Sequence, residues 1–243
     1  MNAKIAIKFV LLLILVFFSV ISAFSKADSE KGSKMRVETV PVTDVFTTNS
    51  YFYIDENTNH GFLIDPGAEA DKLLRIIKQN NWTIEAILLT HGHFDHLGAV
   101  NEISNTLKIP YLIHQNGEQF LKSTHYNLSI YNNRNIILNN AKYLNGDDFI
   151  FLKSNKNVKI QVIHTPGHTP DSVVFYDEKE NIAFVGDTIF RGAIGNTGYP
   201  GGNARDLSSS IINKIFTLSP ETVLYSGHSD KTTVETEKLR YVR

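Results

Sequence analysis

The stretch Thr90-His91-Gly92-His93-Phe94-Asp95-His96 constrains this chain more than any other. Four metal-capable side chains fall within six residues, directly behind Ile84 to Thr90, a nearly continuous apolar run of the kind that marks a buried strand. A strand that ends in a tight turn, with Gly92 supplying freedom to turn, aims several side chains at one point. On a continuing strand His91, His93 and Asp95 share one face, and His96 joins from the start of the following helix. Neutral imidazole is a common metal ligand and carboxylate completes such sites. The sequence has nine histidines, so three of them in six residues is a concentration, and the cluster reads as a metal site.

The chain has no cysteine, which excludes disulfides, thiolate nucleophiles and any zinc site with a sulfur ligand. A metal here is held by histidine and carboxylate alone. Three later stretches repeat the first design. His168 follows an apolar run in Val162-Ile163-His164-Thr165-Pro166-Gly167-His168, Asp187 does so in Ala183-Phe184-Val185-Gly186-Asp187, and His228 in Val223-Leu224-Tyr225-Ser226-Gly227-His228. Each candidate ligand is preceded by a glycine, so the backbone can turn tightly beside the site. Taken alone, Gly-Asp is an ordinary turn and Gly-His a weak signal. Three such ends in one chain with the first cluster read as a single constellation.

The first 25 residues stand apart from the fold. Lys4 and Lys8 precede Phe9 to Ile21, an apolar run broken only by Ser19, and Ser22, Ala23 and Ser25 follow. A basic start, a short apolar stretch and small residues form a secretory signal pattern, so export to a periplasmic or extracellular space is expected. The rival reading is a retained membrane anchor, since Ile5 to Phe24 just reaches a spanning length if Lys8 snorkels. Residues 26–34 read as a polar linker, and 35–243 as the catalytic domain, one domain at this length.

Within that domain the pattern predicts strands over Arg36–Val42, Asn49–Ile54 and Gly61–Ile64, the last two joined by a turn at Asp55–His60. It predicts helices over Ala68–Asn80, Leu97–Thr106, Gly117–Ser123 and Leu207–Thr217. Further strands are expected at Ile109–His114, Asp148–Leu152, Val158–His164, Ser172–Tyr176, Ile182–Val185 and Thr222–Tyr225. Residues 115–146 carry little period. Strands in series with helices between some of them leave the class as α/β or α+β. Lys plus Arg is 24 against 25 for Asp plus Glu, a near-neutral balance that argues against nucleic acid as a partner. His164 reads as structural, and His60, His114 and His125 as loop or surface residues. Asp65, in Ile64-Asp65-Pro66-Gly67, is expected to hydrogen-bond the metal-site loop. Asp171 and Ser172 read as a cap or turn.

The ordered set His91-x-His93-x-Asp95-His96, His168 in Thr-Pro-Gly-His-Thr, Asp187 in Gly-Asp-Thr and His228 in Ser-Gly-His-Ser resembles the metallo-β-lactamase superfamily, and within it the compact glyoxalase II-type hydrolases. The similarity spans about residues 36–240. It implies an α/β fold, a four-layer αβ/βα sandwich with the metals at one edge. It implies that His91, His93 and His168 hold one metal, that Asp95, His96 and His228 hold a second, and that Asp187 bridges them. Two Zn2+ are implied, with Fe or Mn as substitutes. Such a pair lowers the pKa of a bridging water toward ~7, and the resulting hydroxide attacks a carbonyl. Asp187 and Asp95 then take catalytic as well as ligand roles, Asp95 orienting the hydroxide.

The substrate so implied is a small-molecule thioester, ester or lactone, with the membrane involved only through an uncleaved N-terminal segment. Some features depart from glyoxalase II. Only 15 residues follow His228, too few for the helical extension that helps hold glutathione, and Asn196 and Gly198 stand where relatives carry charge. Alternatives on the same scaffold are a lactonase or β-lactamase, and a mononuclear-iron persulfide dioxygenase. The bridging acid Asp187 weighs against the β-lactamase.

Overall fold

The computed structural model describes residues 34–241. The expected signal segment, residues 1–25, and nearly all of the linker lie outside the described residues. From Met35 onward the chain forms one compact unit. Strands β1 (Met35–Thr43) and β2 (Thr47–Asp55) pair as an antiparallel hairpin from Met35 opposite Asp55 to Thr43 opposite Thr47. Strand β3 (His60–Ile64) turns back along β2. The Asp55 carboxylate closes that turn by accepting from the Asn57 amide and the Thr58 hydroxyl, both at 3.1 Å. Helix α1 (Ala70–Gln79), with Leu73 and Ile77 buried, carries the chain over to β4 (Thr83–Leu88), parallel to β3. Helices α2 (Phe94–Leu97) and α3 (Val100–Leu107) lead to β5 (Tyr111–His114), and α4 (Glu118–Lys122) precedes β6 (Lys142–Leu144). The first sheet therefore runs β1 to β6 in sequence order.

The second sheet has the order β14-β13-β10-β9-β8-β7. Its members are β7 (Phe149–Phe151), β8 (Lys159–His164), β9 (Val173–Asp177), β10 (Ile182–Gly186), β13 (Val223–Ser226) and β14 (Thr232–Thr233). A small hairpin, β11 (Ile189–Phe190) with β12 (Ala193–Ile194), stands apart from both sheets. Helix α5 (Ala204–Ser210) continues into a π turn at Ile211–Ile215, and α6 (Val234–Tyr241) ends the described chain.

Alternation along the strands sends side chains to opposite faces and so makes three cores. Phe52, Ile54 and Leu63 pack with Leu73, Ile77 and Val100 between the first sheet and its helices. Tyr51, Tyr53, Phe62 and Ile64 meet Val162, Phe175 and Phe184 between the sheets. Val174, Val185 and Leu224 meet Leu207, Ile211 and Val234 on the far side. Helix, sheet, sheet and helix stack in that order, which is the expected αβ/βα sandwich. Among the described residues no helix is long and apolar enough to cross a membrane.

Two predicted helices differ in detail. The one expected over Leu97–Thr106 is broken into α2 and α3, because the Ala99 amide donates to the Pro66 carbonyl at 2.9 Å and Gly98 packs on the Gly67 carbonyl. A side chain at Gly98 would begin 2.2 Å from that oxygen. The helix expected over Leu207–Thr217 starts earlier, at a cap in which Asn203 accepts from the Arg205 and Asp206 amides, and it ends as the π turn. The strands β6, β11, β12 and β14 are too short to carry a period and had no sequence signal. The irregular 115–146 stretch is held by buried Asn127, which donates to the Phe120 and Ile136 carbonyls at 2.9 and 2.8 Å.

Strand directions place the site. Strand β9 is antiparallel to both β8 and β10, and β13 is parallel to β10, so β8, β10 and β13 all end at one edge. Thr90, just after β4, lies at that same edge, where its carbonyl accepts from the Val173 amide at 2.8 Å and ties the two sheets.

Candidate metal centre

All seven candidate ligands meet at this edge. His91, His93 and His168 form one group, and Asp95, His96 and His228 another; His91, His96 and Asp187 form a third that overlaps both. Within each group the ligand atoms lie no more than 4.8 Å apart. His91 Nε2 is 3.1 Å from His93 Nδ1, which is 3.0 Å from His168 Nε2. His228 Nε2 is 3.2 Å from Asp95 Oδ2, and His96 Nε2 is 3.8 Å from the same atom. Asp187 faces both sides: its Oδ1 is 3.4 Å from His96 Nε2, and its Oδ2 is 3.3 Å from His228 Nε2 and 3.6 Å from His168 Nε2.

These spacings fit divalent metal ions. Ligand atoms about 2.0–2.1 Å from a tetrahedral ion stand roughly 3.3 Å from one another. The His96 Nε2 and Asp187 Oδ1 atoms are buried without a hydrogen-bond partner, and both point into the cluster. The donors are imidazole and carboxylate only, a set suited to zinc or iron.

Three of the inward-facing histidines are oriented from behind. His96 Nδ1 lies 3.0 Å from Asp65 Oδ2, His168 Nδ1 is 2.6 Å from the Asn196 carbonyl, and His228 Nδ1 is 2.9 Å from the Thr47 carbonyl. Partners of this kind fix the tautomer and aim the other nitrogen at a metal. Asp65 also accepts from the Thr90 amide and hydroxyl at 2.8 and 2.6 Å, so one carboxylate locks the end of β4 and a ligand together, as its sequence position led us to expect. Asp65 adopts a left-handed backbone, φ 48°, to do so. Asp65→Asn is expected to weaken metal binding by about 10- to 100-fold. Competition with a chelator measures this, and unchanged affinity would remove Asp65 from the support of the site.

The two halves differ electrostatically. Burial, with the neighbouring imidazoles, holds His91 well below the usual histidine range and His93 down to about 3. Burial also opposes charge on His96, but the carboxylates of Asp187, Asp95 and Asp65 outweigh it and raise its pKa well above the ordinary value. For His228 burial is likewise outweighed, here by hydrogen bonds to Asp187 and Asp95, and its pKa is pushed up to about 10. Burial alone would raise Asp187, yet His96, His228 and His168 hold it well below the carboxylate range. Proton affinity is thus lowered in the His91 and His93 half and raised at His96 and His228 by the carboxylates beside them, the same negative charge that favours a cation there.

The other sequence candidates fall elsewhere. His164 donates to or accepts from no ligand; its Nε2 meets the Pro170 carbonyl at 2.8 Å and its ring stacks on His114 at 4.0 Å. His114 is not the surface residue expected: it ends β5 and is 2% exposed, because the stacked pair fills the space between the sheets' ends. His60 pairs with Glu85 at 3.0 Å, and His125 contacts Tyr131.

Asp171 reads as a turn in sequence, but it is fully buried, with neither carboxyl oxygen in a hydrogen bond of normal geometry. Burial raises its pKa to about 7. A carboxyl with a raised folded-state pKa destabilises the fold once it must ionise. The stability is whole below about pH 4 and falls as pH rises to about 7, by on the order of 4 kcal/mol. Asp171→Asn is therefore expected to raise Tm at pH 8 and change it little at pH 4, as scanning calorimetry will read. Equal effects at both pH values would mean that Asp171 is not the group responsible.

A cleft of about 400 Å3 opens over the cluster. Its walls are Phe46, Phe94, Leu128, Phe190 and Tyr199, with Asn196 and Thr47 as polar points. Phe46 comes from the β1–β2 turn and sits 6.0 Å from the Phe94 ring, while Tyr199 meets the His93 ring edge-on at 5.6 Å. Among the described residues no lysine or arginine lines this cleft. Sequence patterns missed these aromatic walls, since they sit on turns or on elements of two to four residues, too short to show a period.

The model of the metallo-β-lactamase superfamily matches residues 43–228. A probable metallo-hydrolase of Bacillus subtilis, YqgX, is 35% identical over 206 residues, covering 84% of this chain and 95% of the relative. The hydroxyacylglutathione hydrolase GloC of Haemophilus influenzae is 31% identical over 213 residues, with the same coverage of 84% and 95%. Among solved structures, the B3 metallo-β-lactamase BLEG-1 superposes with a TM-score of 0.78 at 33% identity, covering 83% of this chain and 96% of that one. TTHA1623 in a di-iron-bound form gives 0.71 at 31% identity, with coverage of 82% and 96%.

Proposed function

We propose that this chain, which belongs to the metallo-β-lactamase superfamily, is a hydrolase of small-molecule thioesters or related esters with a two-metal centre. A metal-dependent hydrolase is the family's common character. The finer reading rests above all on Asp187, whose two oxygens reach toward His168 on one side and His96 and His228 on the other. A carboxylate so placed would serve two ions, which His91, His93 and His168 on one side and Asp95, His96 and His228 on the other would hold. Bound there, metal ions supply Lewis acidity and an ionised water at neutral pH.

The chain's own residues do the rest. Asp65, Asn196 and Thr47 fix the ligand rings. Asp95 accepts from the Thr48 hydroxyl at 3.1 Å, which fixes the carboxylate at the cleft floor. The aromatic walls exclude water from a carbonyl lodged over the ligands and favour an uncharged acyl group. Zinc is the metal proposed, and the di-iron form of TTHA1623 makes iron the rival.

Elemental analysis of purified full-length protein, run with a panel of thioesters, lactones and β-lactams, tests the reading. The expected result is two metal ions per chain with thioester or ester cleavage. The β-lactams belong in the panel because of the likeness to BLEG-1. One iron per chain with no hydrolysis of any panel member would overturn the proposal. We also propose that the protein is exported and loses its N-terminal apolar segment. Its N-terminus in the native cell should then lie between Ser25 and Ser29. Soluble cytoplasmic protein that retains Met1 would refute export.

A further inference from the structure

The hairpin of β11 and β12 belongs to neither large sheet, and strands of two residues do not hold a position by themselves. Yet this hairpin touches the metal centre on both sides. At the end of β11, the Phe190 ring lies 6.1 Å from the His228 ring and forms part of the cleft wall. Just after β12, a β-carbon at Gly195 would lie 1.9 Å from the Asp187 carbonyl oxygen, so the chain passes directly over that ligand. The next carbonyl, of Asn196, is the one that lies 2.6 Å from His168 Nδ1. The segment 189–196 thus reaches ligands of both halves of the cluster, and its placement has to come from ties outside it.

Two such ties are at its tip. The Arg191 amide donates to the Ser229 hydroxyl at 2.9 Å, beside His228. The Gly192 amide donates to Glu237 Oε2 at 2.9 Å, across 45 residues of sequence. Glu237 lies on α6 and is 3% exposed. Its Oε1 accepts from the Thr232 hydroxyl at 2.5 Å and from Arg240 at 2.6 Å. A carboxylate buried this deeply is costly unless donors surround it. Here they come from the hairpin turn, from β14 and from α6 itself. Thr232 pairs with Leu224 of β13, the strand that leads to His228. One carboxylate therefore fixes the hairpin tip relative to the strand behind a ligand.

We propose that Glu237 is a positioning residue of the metal centre. It sets how far the β11–β12 hairpin closes over the ligands, and through the hairpin it places Phe190 against His228 and the Asn196 carbonyl behind His168. It touches no ligand atom and no reacting atom. Any effect on turnover rests on the hydrolase reading; the effects on the hairpin and on metal affinity do not. What counts in this role is reach to Gly192 more than charge. Glutamine keeps the reach: its amide oxygen can face the Gly192 amide while its NH2 meets the Thr232 hydroxyl, which can accept. Arg240, whose side chain is 45% exposed, then turns to water. Aspartate keeps the charge but, one methylene shorter, draws back from Gly192.

Hydrogen exchange read by mass spectrometry, and competition with a chelator for zinc, test this on the full-length protein. In Glu237→Ala and Glu237→Asp the amides of 189–196 should exchange about ten-fold faster or more, while β9 and β10 keep their rates. Zinc affinity should fall about ten-fold in both, because His168 loses its support. Glu237→Gln should restore most of each. Should Glu237→Ala fail to fold, the aspartate and glutamine variants decide. Val234→Ala is the control, since it opens the core under α6 without touching the hairpin. It should lower Tm and leave both hairpin exchange and zinc affinity unchanged. Unchanged hairpin exchange in Glu237→Ala and Glu237→Asp, equal loosening in Val234→Ala, or glutamine as disruptive as aspartate would each overturn the proposal. A panel in which no ester is cleaved would retire the hydrolase reading and leave this test standing.

Discussion

Asp187→Ala is expected to lower kcat/KM by at least about 100-fold while leaving metal bound. Asp187 is buried, and its carboxylate is the one group within 3.3–3.6 Å of ligands from both halves of the cluster. Removing it leaves three ligands in each half, and three protein ligands suffice to hold a catalytic metal. The six that remain are imidazoles and one carboxylate, each able to coordinate a divalent ion in its deprotonated form. What disappears is the tether that fixes the two halves relative to each other. A reacting group misplaced by ~1 Å costs on the order of 100-fold in rate. The measurement is kcat/KM on the best thioester of the panel, with metal content determined on the same samples. Near-normal activity would mean that the bridge is dispensable, and a single-metal reading would replace the one proposed here.

The residues of this site are legible in sequence for a physical reason. A glycine that precedes a ligand at a strand end is a local signal, and it recurs at Gly92, Gly167, Gly186 and Gly227. Two of these adopt backbones that favour glycine, with φ 142° at Gly167 and φ 49° at Gly186. How the four ends meet is not local: it depends on β8, β10 and β13 pointing the same way and on the Thr90–Val173 bond between the sheets. No residue pattern encodes that pairing, and here it came from the resemblance of the ordered motifs.

Strands of five or more residues with an apolar face were readable because one face must be buried. The two-residue strands β11, β12 and β14 have no period to read, and their pairing is set by the segments around them. Asp171 shows the limit most plainly. Pro-Asp-Ser is the composition of an exposed turn, yet the chain buries the carboxyl against Gly92 and Gly117. The positions of two distant glycines decide its environment, and neither is near it in sequence. The break between α2 and α3 has the same origin, in the close approach of Gly67 to Gly98.

Close approach of backbone to ligand also supplies the second large expectation: Gly227→Ala should abolish most activity with the fold intact. A β-carbon at this position would lie 2.2 Å from Asp187 Oδ1 and 2.7 Å from His96 Cε1. Contacts that short cannot stand, so either the ligands or the backbone must move. The backbone is held on both sides, since the Gly227 amide donates to the Gly186 carbonyl at 2.9 Å and its carbonyl accepts from the Asn49 amide at 2.7 Å. The His96 ring is held from behind by Asp65 at 3.0 Å. Asp187 Oδ1 is the atom nearest the new methyl group, so the carboxylate is the group displaced. Relief of the overlap takes a movement of about 1 Å or more, the scale on which a ~100-fold rate loss is expected. The backbone at Gly227 is not in the left-handed region, so alanine adds no conformational penalty of its own. Overpacking by one methyl costs roughly 1–3 kcal/mol, which a folded domain survives. The expected outcome is a cooperative unfolding transition at modestly lower temperature, fewer than two metal ions per chain, and kcat/KM down by about 100-fold. Gly198→Ala provides the contrast, because its β-carbon would meet only the Asn196 side-chain oxygen, at 3.2 Å. Full activity in Gly227→Ala would show that Asp187 does not work from the position next to this glycine, and the bridging role would fall with it.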